Sequence, residues 1–314
     1  MANFTWNFDA PTGVYKSRAL SSKLYQAAVA ETTVAEHASP VGGFGRKQGE
    51  TVTLKRIKAL TEPTSPVLTE GVRIPEDTLT INTKAITVEE IGRAVPYTSL
   101  SEDLGAVDME NAVQKELRRQ MKLSLDTLAA TGIKGGQIKY IPTGVTARTI
   151  NSDGTTAAAS VTMNTWHLEE IRDYLFATLF APMLGDGYIG IFAQKSIRGI
   201  KRSPEWEEWH KYTDPSAKWN NEVGRWENIR LIESNHTNAF SNTKGTGSVL
   251  GEGVVFGDDA LVLAEVIAPE LRAGIPADFG RARSVCWYGV LKFDQPWADS
   301  GNAGEAKVIH ITSS

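Results

Sequence analysis

The longest helical pattern in the chain runs from about Val107 to Ala130, with Val113, Leu117, Met121, Leu125 and Leu128 on one stripe. About 24 residues at ~1.5 Å each make a rod of roughly 36 Å. Such a rod buries one side and leaves the other in solvent. Asp108 and Glu110 near its start, with Arg118, Arg119 and Lys122 further on, complement the helix dipole, and Thr131-Gly132 is the expected end. The patterns on both sides of the rod are mostly those of strands, so the fold class is α+β rather than a helical bundle.

Upstream, Val52 and Leu54 lead into a β-branched alternation and Leu79, Ile81, Ile86 and Val88 lead out of it, which reads as a long hairpin with arms from Val52 to Leu60 and Thr78 to Val88. The connection, from Thr61 through Pro63 and Pro66 to Pro75 and Asp77, is polar and punctuated by proline. It has no core of its own and needs outside support. The segment before Gly49 reads as an arm, with one amphipathic stretch from Ser17 to Glu31 between breaker-rich tails.

Downstream, a strand-like region spans Gly135 to Val161, and a second helix starts near Thr165, turning Leu168, Ile171, Leu175 and Leu179 inward before Pro182. Tyr188 to Ala193 reads as a buried strand, followed by a short helix around Ile197, a helix start at Pro204 and a strand from Ile229 to Glu233. The last sixty residues are strand-rich, notably Ser284 to Leu291 and Ala306 to Thr312.

Composition excludes several functions. Cys286 is the single cysteine among 314 residues, so no bridge forms within the chain, and a reducing cytoplasm suits it. No basic start precedes an apolar core and no run of about 18 apolar residues occurs, so neither secretion nor membrane insertion is expected. Lys and Arg number 33 against 37 Asp and Glu, a net charge of −4, and the first fifty residues carry no basic excess of note. Contact with nucleic acid is therefore expected to be weak and non-specific.

Chemistry is equally sparse. The five histidines, His37, His167, His210, His236 and His310, lack metal-ligand spacing, so no metal and no cofactor is expected. His167-Leu168-Glu169-Glu170 comes nearest to a general-base cluster, although charges at a helix start are ordinarily solvated caps. Gly42-Gly43-Phe44-Gly45 and Gly251-Glu252-Gly253 lack the strand-to-helix setting and the lysine of a phosphate loop. No catalytic residue is assigned. Trp206, Trp209, Trp219 and Trp226 crowd together among charges and serve either as core or as anchors of subunit contact. Glu205, Glu207, Glu208 and Asp214 oppose their stacking on nucleic acid.

The order of elements, arm, projecting hairpin, long helix, compact α+β insertion and returning strands, resembles the major capsid proteins of tailed bacteriophages with the Hong Kong 97-like fold. More narrowly, it resembles the group typified by the capsid protein of phage N-four. The resemblance is carried by Leu68-Thr69-Glu70-Gly71, Val88-Glu89-Glu90-Ile91-Gly92-Arg93, Glu222-Val223-Gly224-Arg225 leading to Ile229-Arg230-Leu231-Ile232-Glu233, Val255-Phe256-Gly257-Asp258-Asp259-Ala260 and Cys286-Trp287-Tyr288-Gly289.

That resemblance implies an N-terminal arm at 1–48, an extended loop at 49–92, a peripheral domain with the spine helix at 93–140, an axial domain at 141–240 and returning peripheral strands at 241–314. It implies a protein that assembles as hexamers and pentamers into an icosahedral shell around double-stranded DNA, located in the virion and assembled in the bacterial cytoplasm. Separate scaffolding, portal and decoration proteins are the expected partners, and no membrane is. The expected subunit contacts are Arg56, Lys58, Glu70, Arg73 and Glu76 of the hairpin and loop, with Trp206, Trp209 and Trp219. An encapsulin-like nanocompartment shell is the alternative within the same architecture. An unrecognised enzyme using His167, Glu169 and Glu170 is the alternative from another class.

Overall fold

The computed structural model describes residues 30–57, 60, 62–103, 109–210, 222–275, 278–297 and 306–314. Two larger sheets and one separate ladder organise them. The first sheet has the order β1 (Ser39–Pro40), β11 (Val262–Ala273), β12 (Ala282–Asp294), β4 (Glu89–Thr98), antiparallel except for β1 on β11. Strand β12 shows why it forms. Val285, Trp287, Leu291 and Phe293 are buried at every second or fourth position while Cys286, Tyr288 and Val290 are only half-buried, the period of a sheet covered mainly on one face.

The cover is the long helix α2 (Met109–Lys134), preceded by the short α1 (Ser99–Asp103). Near its start Leu117 packs with Val285 and Trp287, with Val113 and Met121 alongside. Near its end Ala129, Ala130 and Ile133 join Leu291 and Phe293. The expected stop at Thr131-Gly132 is corrected: the helix continues to Lys134. A side-chain carbon at Gly132 would lie 2.8 Å from the Phe293 carbonyl oxygen, so this glycine serves close helix-to-strand contact instead of termination.

The second sheet has seven strands in the order β6 (Ala147–Asn151), β5 (Lys139–Gly144), β13 (Val308–Ile311), β10 (Gly253–Phe256), β7 (Tyr188–Ala193), β9 (Ile229–Ser234), β8 (Glu222–Trp226). Every residue of β7 is buried, because both faces of the sheet centre are covered. One face packs on α3 (Thr165–Asp173) and α4 (Gln194–Lys201), and the other meets the end of α2. Asn164 caps α3 by accepting the His167 amide, and a π-helical turn at Tyr174–Thr178 continues it. Leu168, Ile171, Leu175 and Leu179 are all fully buried, as their spacing predicts. Strand pairing runs across the expected 240/241 border. The strands β10 and β13 complete the seven-stranded sheet, whereas β11 and β12 build the other.

The ladder of β2 (Thr51–Ile57) and β3 (Ile81–Thr87) stands apart, in register from Thr51↔Thr87 to Ile57↔Ile81. The hairpin arms are thus shorter than the spacing predicts, and β4 enters the first sheet at Glu89. The described residues 62–80 form no strand or helix.

Candidate subunit-contact surfaces

The hairpin has two unlike parts. At its root one face turns inward: Arg56 and Ile86 are buried, Val52, Leu54 and Lys84 half-buried, and the alternate residues are exposed. Arg56 donates through Nη1 to the Pro296 carbonyl at 3.2 Å and lies over the Trp297 ring, 5.1 Å from its centroid. Lys84 Nζ donates to Asp294 Oδ1 at 2.9 Å and to the Gln295 carbonyl. The segment just after β12 therefore holds the root from below.

Beyond the root no described residue covers the loop. Every described residue from Leu60 to Thr83 is exposed. Ile57, Leu60, Val67, Leu68, Val72, Ile74, Leu79 and Ile81 are each more than half exposed, Val67 reaching 81%. Burying a side chain of this kind contributes about 1.5–3 kcal/mol when complete. The loop's ion pair, Arg73 with Glu76, is 83% and 72% exposed and contributes little by itself. Covering these side chains is worth more free energy than the loop's exposed ion pair.

The expected contact residues divide accordingly. Glu70, Arg73 and Glu76 are exposed on the loop, with Arg73 and Glu76 paired to each other. Arg56 is corrected from a neighbour contact to an anchor within its own chain, because Trp297 and Pro296 already occupy it. Trp206, on α5 (Pro204–His210), is corrected likewise: it is 5% exposed, with its ring 5.9 Å from that of Trp226 in the main core. Lys58, Trp219 and the side chain of Trp209 lie outside the described residues. Missed by the sequence reading were the apolar members, Val67, Leu68, Val72 and Ile74, visible as aliphatic residues between the prolines.

The candidate catalytic cluster does not converge. His167 is fully buried, with Nδ1 2.8 Å from the Tyr140 hydroxyl, and burial lowers its pKa to about 4 while raising that of Tyr140. Glu170 instead pairs with Arg148 at 2.5 Å. Burial, followed by the nearby Glu227 carboxylate, raises the pKa of Glu169.

A second buried group joins the seven-stranded sheet to the end of α2. His310 Nε2 is 2.9 Å from Glu252 Oε1, and Lys139 Nζ is 3.0 Å from His310 Nδ1. Lys134, at the end of α2, donates to Glu252 Oε2 at 3.2 Å and to the Ala239 carbonyl at 2.7 Å. A lysine donates and a carboxylate accepts, so the neutral imidazole carries its proton on Nε2. Burial lowers the His310 pKa to about 4 against the pull of Glu252, with Lys139 assisting. Burial alone would raise the Glu252 carboxyl, but His310, Lys134 and the Ser241 amide outweigh it and hold the pKa at about 2.

Among the described residues no group of three His, Cys, Asp or Glu is placed to hold a metal ion, and no helix is long and apolar enough to cross a membrane. No family model matches the chain, and no curated protein does. Solved structures do. The chain is similar to the capsid of Helicobacter pylori bacteriophage KHP30, with a TM-score of 0.72 and 13% identity over 100% of this chain and 99% of that one. It is similar to the capsid of Ralstonia phage GP4, with a TM-score of 0.67 and 14% identity over 100% and 98%. It is also similar to the capsid of Cyanophage P-SCSP1u, with a TM-score of 0.68 and 11% identity over 96% and 93%. Coverage of nearly all of both chains makes the likeness one of overall fold.

Proposed function

We propose that this chain, folded as a Hong Kong 97-like capsid subunit, is the major capsid protein of a tailed bacteriophage. Copies of it assemble as hexamers and pentamers into an icosahedral shell around double-stranded DNA. The observation that carries this reading is the loop, whose eight apolar side chains are exposed beyond a root fixed to the body. In an isolated subunit that surface is unfavourably hydrated, and a neighbouring copy relieves it. The open edges of the β2–β3 ladder offer backbone donors and acceptors to the same neighbour.

The mechanism is additive. Each buried aliphatic side chain contributes about 1–2 kcal/mol when partly covered, and a closed shell repeats the contact at every subunit. The chain's net charge of −4 gives packaged DNA no strong electrostatic hold, so the shell contains the genome without gripping it. Separate scaffolding, portal and decoration proteins complete the particle, and assembly takes place in the bacterial cytoplasm.

The test is deletion of residues 61–77 together with the substitution set Val67→Ser, Leu68→Ser, Val72→Ser and Ile74→Ser. Neither change removes a described residue that is buried, so both proteins keep the folded-subunit circular dichroism and melting profile. Negative-stain microscopy of the protein co-expressed with its neighbouring gene products then shows shells for the parent and none for the variants. Shells of normal size from the deletion variant refute the loop's role. Protein-filled particles lacking nucleic acid, isolated from infected cells, refute the genome container.

A further inference from the structure

One side chain secures the end of the N-terminal arm. Asp126, in the second half of α2, is fully buried. Its Oδ1 accepts the successive amides of Thr33 at 3.0 Å, Val34 at 2.8 Å and Ala35 at 3.3 Å, and its Oδ2 accepts from His236 Nδ1 at 2.9 Å. Three consecutive N–H groups converging on one oxygen form a backbone nest for an anion. They lead into the 3₁₀ turn Ala35–His37, which has no side-chain cap of its own. The Asp126 carboxylate supplies the acceptor that the turn's own N-cap residue, Val34, lacks.

Nearby contacts run the same way. The Glu31 amide donates to Asn235 Oδ1 at 2.9 Å, next to His236. The Val34 side chain is fully buried in the cluster that holds Ala129, Ile133 and Phe240. Past the turn, the Ser39 amide donates to the Leu261 carbonyl at 2.9 Å and β1 pairs with β11. Each half of the arrangement depends on the other. A carboxylate at this depth is unfavourable without its donors, and the three amides lose their common acceptor without it.

We propose that Asp126 is a latch, an internal anion around which residues 31–38 fold into a strap across α2. The strap is held by the Asp126 carboxylate, the Glu31–Asn235 hydrogen bond and the packing of Val34, Ala35, Ala38 and the His37 ring, whereas α2 and β12 beneath it are held by their own packing. It therefore opens as a local unit without unfolding either of them. The inference does not rest on shell formation.

The test is hydrogen exchange followed by mass spectrometry on the full-length, unassembled chain. In Asp126→Ala the peptide spanning residues 30–38 exchanges about 100-fold faster than in the parent, while peptides from α2 and β12 keep their parental rates. Formate then fills the vacated position and restores at least about tenfold protection, which an equal concentration of chloride does not. Asp126→Asn keeps an oxygen acceptor without the charge and gives an intermediate rate, and it provides the same reading should the alanine variant fail to fold. Parental rates at 30–38 in both variants overturn the proposal. So does equal acceleration throughout α2 and β12, and so does formate acting no better than chloride.

Discussion

Acidification gives a test whose size follows from the buried His310 group between the seven-stranded sheet and the end of α2. The folded chain holds His310 at about 4 against an ordinary 6.5, so the folded state binds fewer protons than the unfolded chain between those values. Stability is full above pH 6.5 and falls as pH drops toward 4. The difference is worth about 3 kcal/mol for His310 at ~1.4 kcal/mol per pKa unit, a large share of the roughly 5–15 kcal/mol that holds a typical domain together. The steepest contribution of one such group is about 1.4 kcal/mol per pH unit. His167, also held at about 4, adds a similar loss in the same window, and Glu252 extends the loss from 4.5 toward 2. His310→Gln isolates one contribution, because its amide accepts from Lys139 and donates to Glu252 without titrating. Urea unfolding of unassembled subunits at pH 7.0, 6.0, 5.0 and 4.5 measures both proteins. The parent loses about 2–3 kcal/mol more than the variant between the extremes. Parallel pH dependences in the two proteins refute the assignment of His310 as a buried neutral donor to Glu252.

Trp206→Ala removes a core aromatic and lowers unfolding free energy by about 3–5 kcal/mol, read by denaturant titration; a loss below about 1 kcal/mol returns Trp206 to the surface. Gly132→Val drives side-chain carbons into the Phe293 backbone and lowers stability by about 3 kcal/mol or more, seen as a reduced melting temperature. Arg56→Ala lowers the subunit's stability by about 2 kcal/mol, whereas Arg73→Ala changes it by less than about 0.5 kcal/mol; equal effects contradict the division between root and loop.

Elements with one uninterrupted burial pattern were legible in the sequence. The α3 stripe through Leu179 and the wholly buried β7 have the spacing that packing on one or both sides imposes. Gly132 misled because a glycine looks the same whether it ends a helix or admits a strand. β4 hid because its residues are mainly exposed and include Gly92 and Pro96, so nothing alternates. The His310 group joins residues up to 171 positions apart and leaves no local trace. Asp126 left a faint one: it precedes Ala129, Ala130 and Ile133 at helical spacing, an acid in line with a buried stripe. In the loop, charged residues drew the reading toward ion pairs, although the aliphatic residues between the prolines carry more free energy once covered.

On the capsid reading proposed above, a subunit exposes this apolar surface and still awaits the right neighbour. Two open strand edges beside eight exposed aliphatic residues invite indiscriminate pairing. Pro63, Pro66 and Pro75 remove backbone donors along the loop, and Glu62, Glu70, Glu76 and Asp77 place like charges on any two loops that meet tip to tip. Loop-to-loop association is thereby disfavoured relative to loop-on-body association. Direction comes from the root, where Arg56 and Lys84 are tied to Asp294, Gln295 and Pro296 at the end of β12 and Ile86 is buried, so the ladder leaves the body at one angle before any neighbour arrives. A fixed root spares part of the ordering entropy that association would otherwise require. Side chains holding the angle are buried in the chain itself, and those supplying affinity are bare. Mutations in the two sets therefore separate: root changes alter the geometry of the particle, and tip changes alter whether it forms.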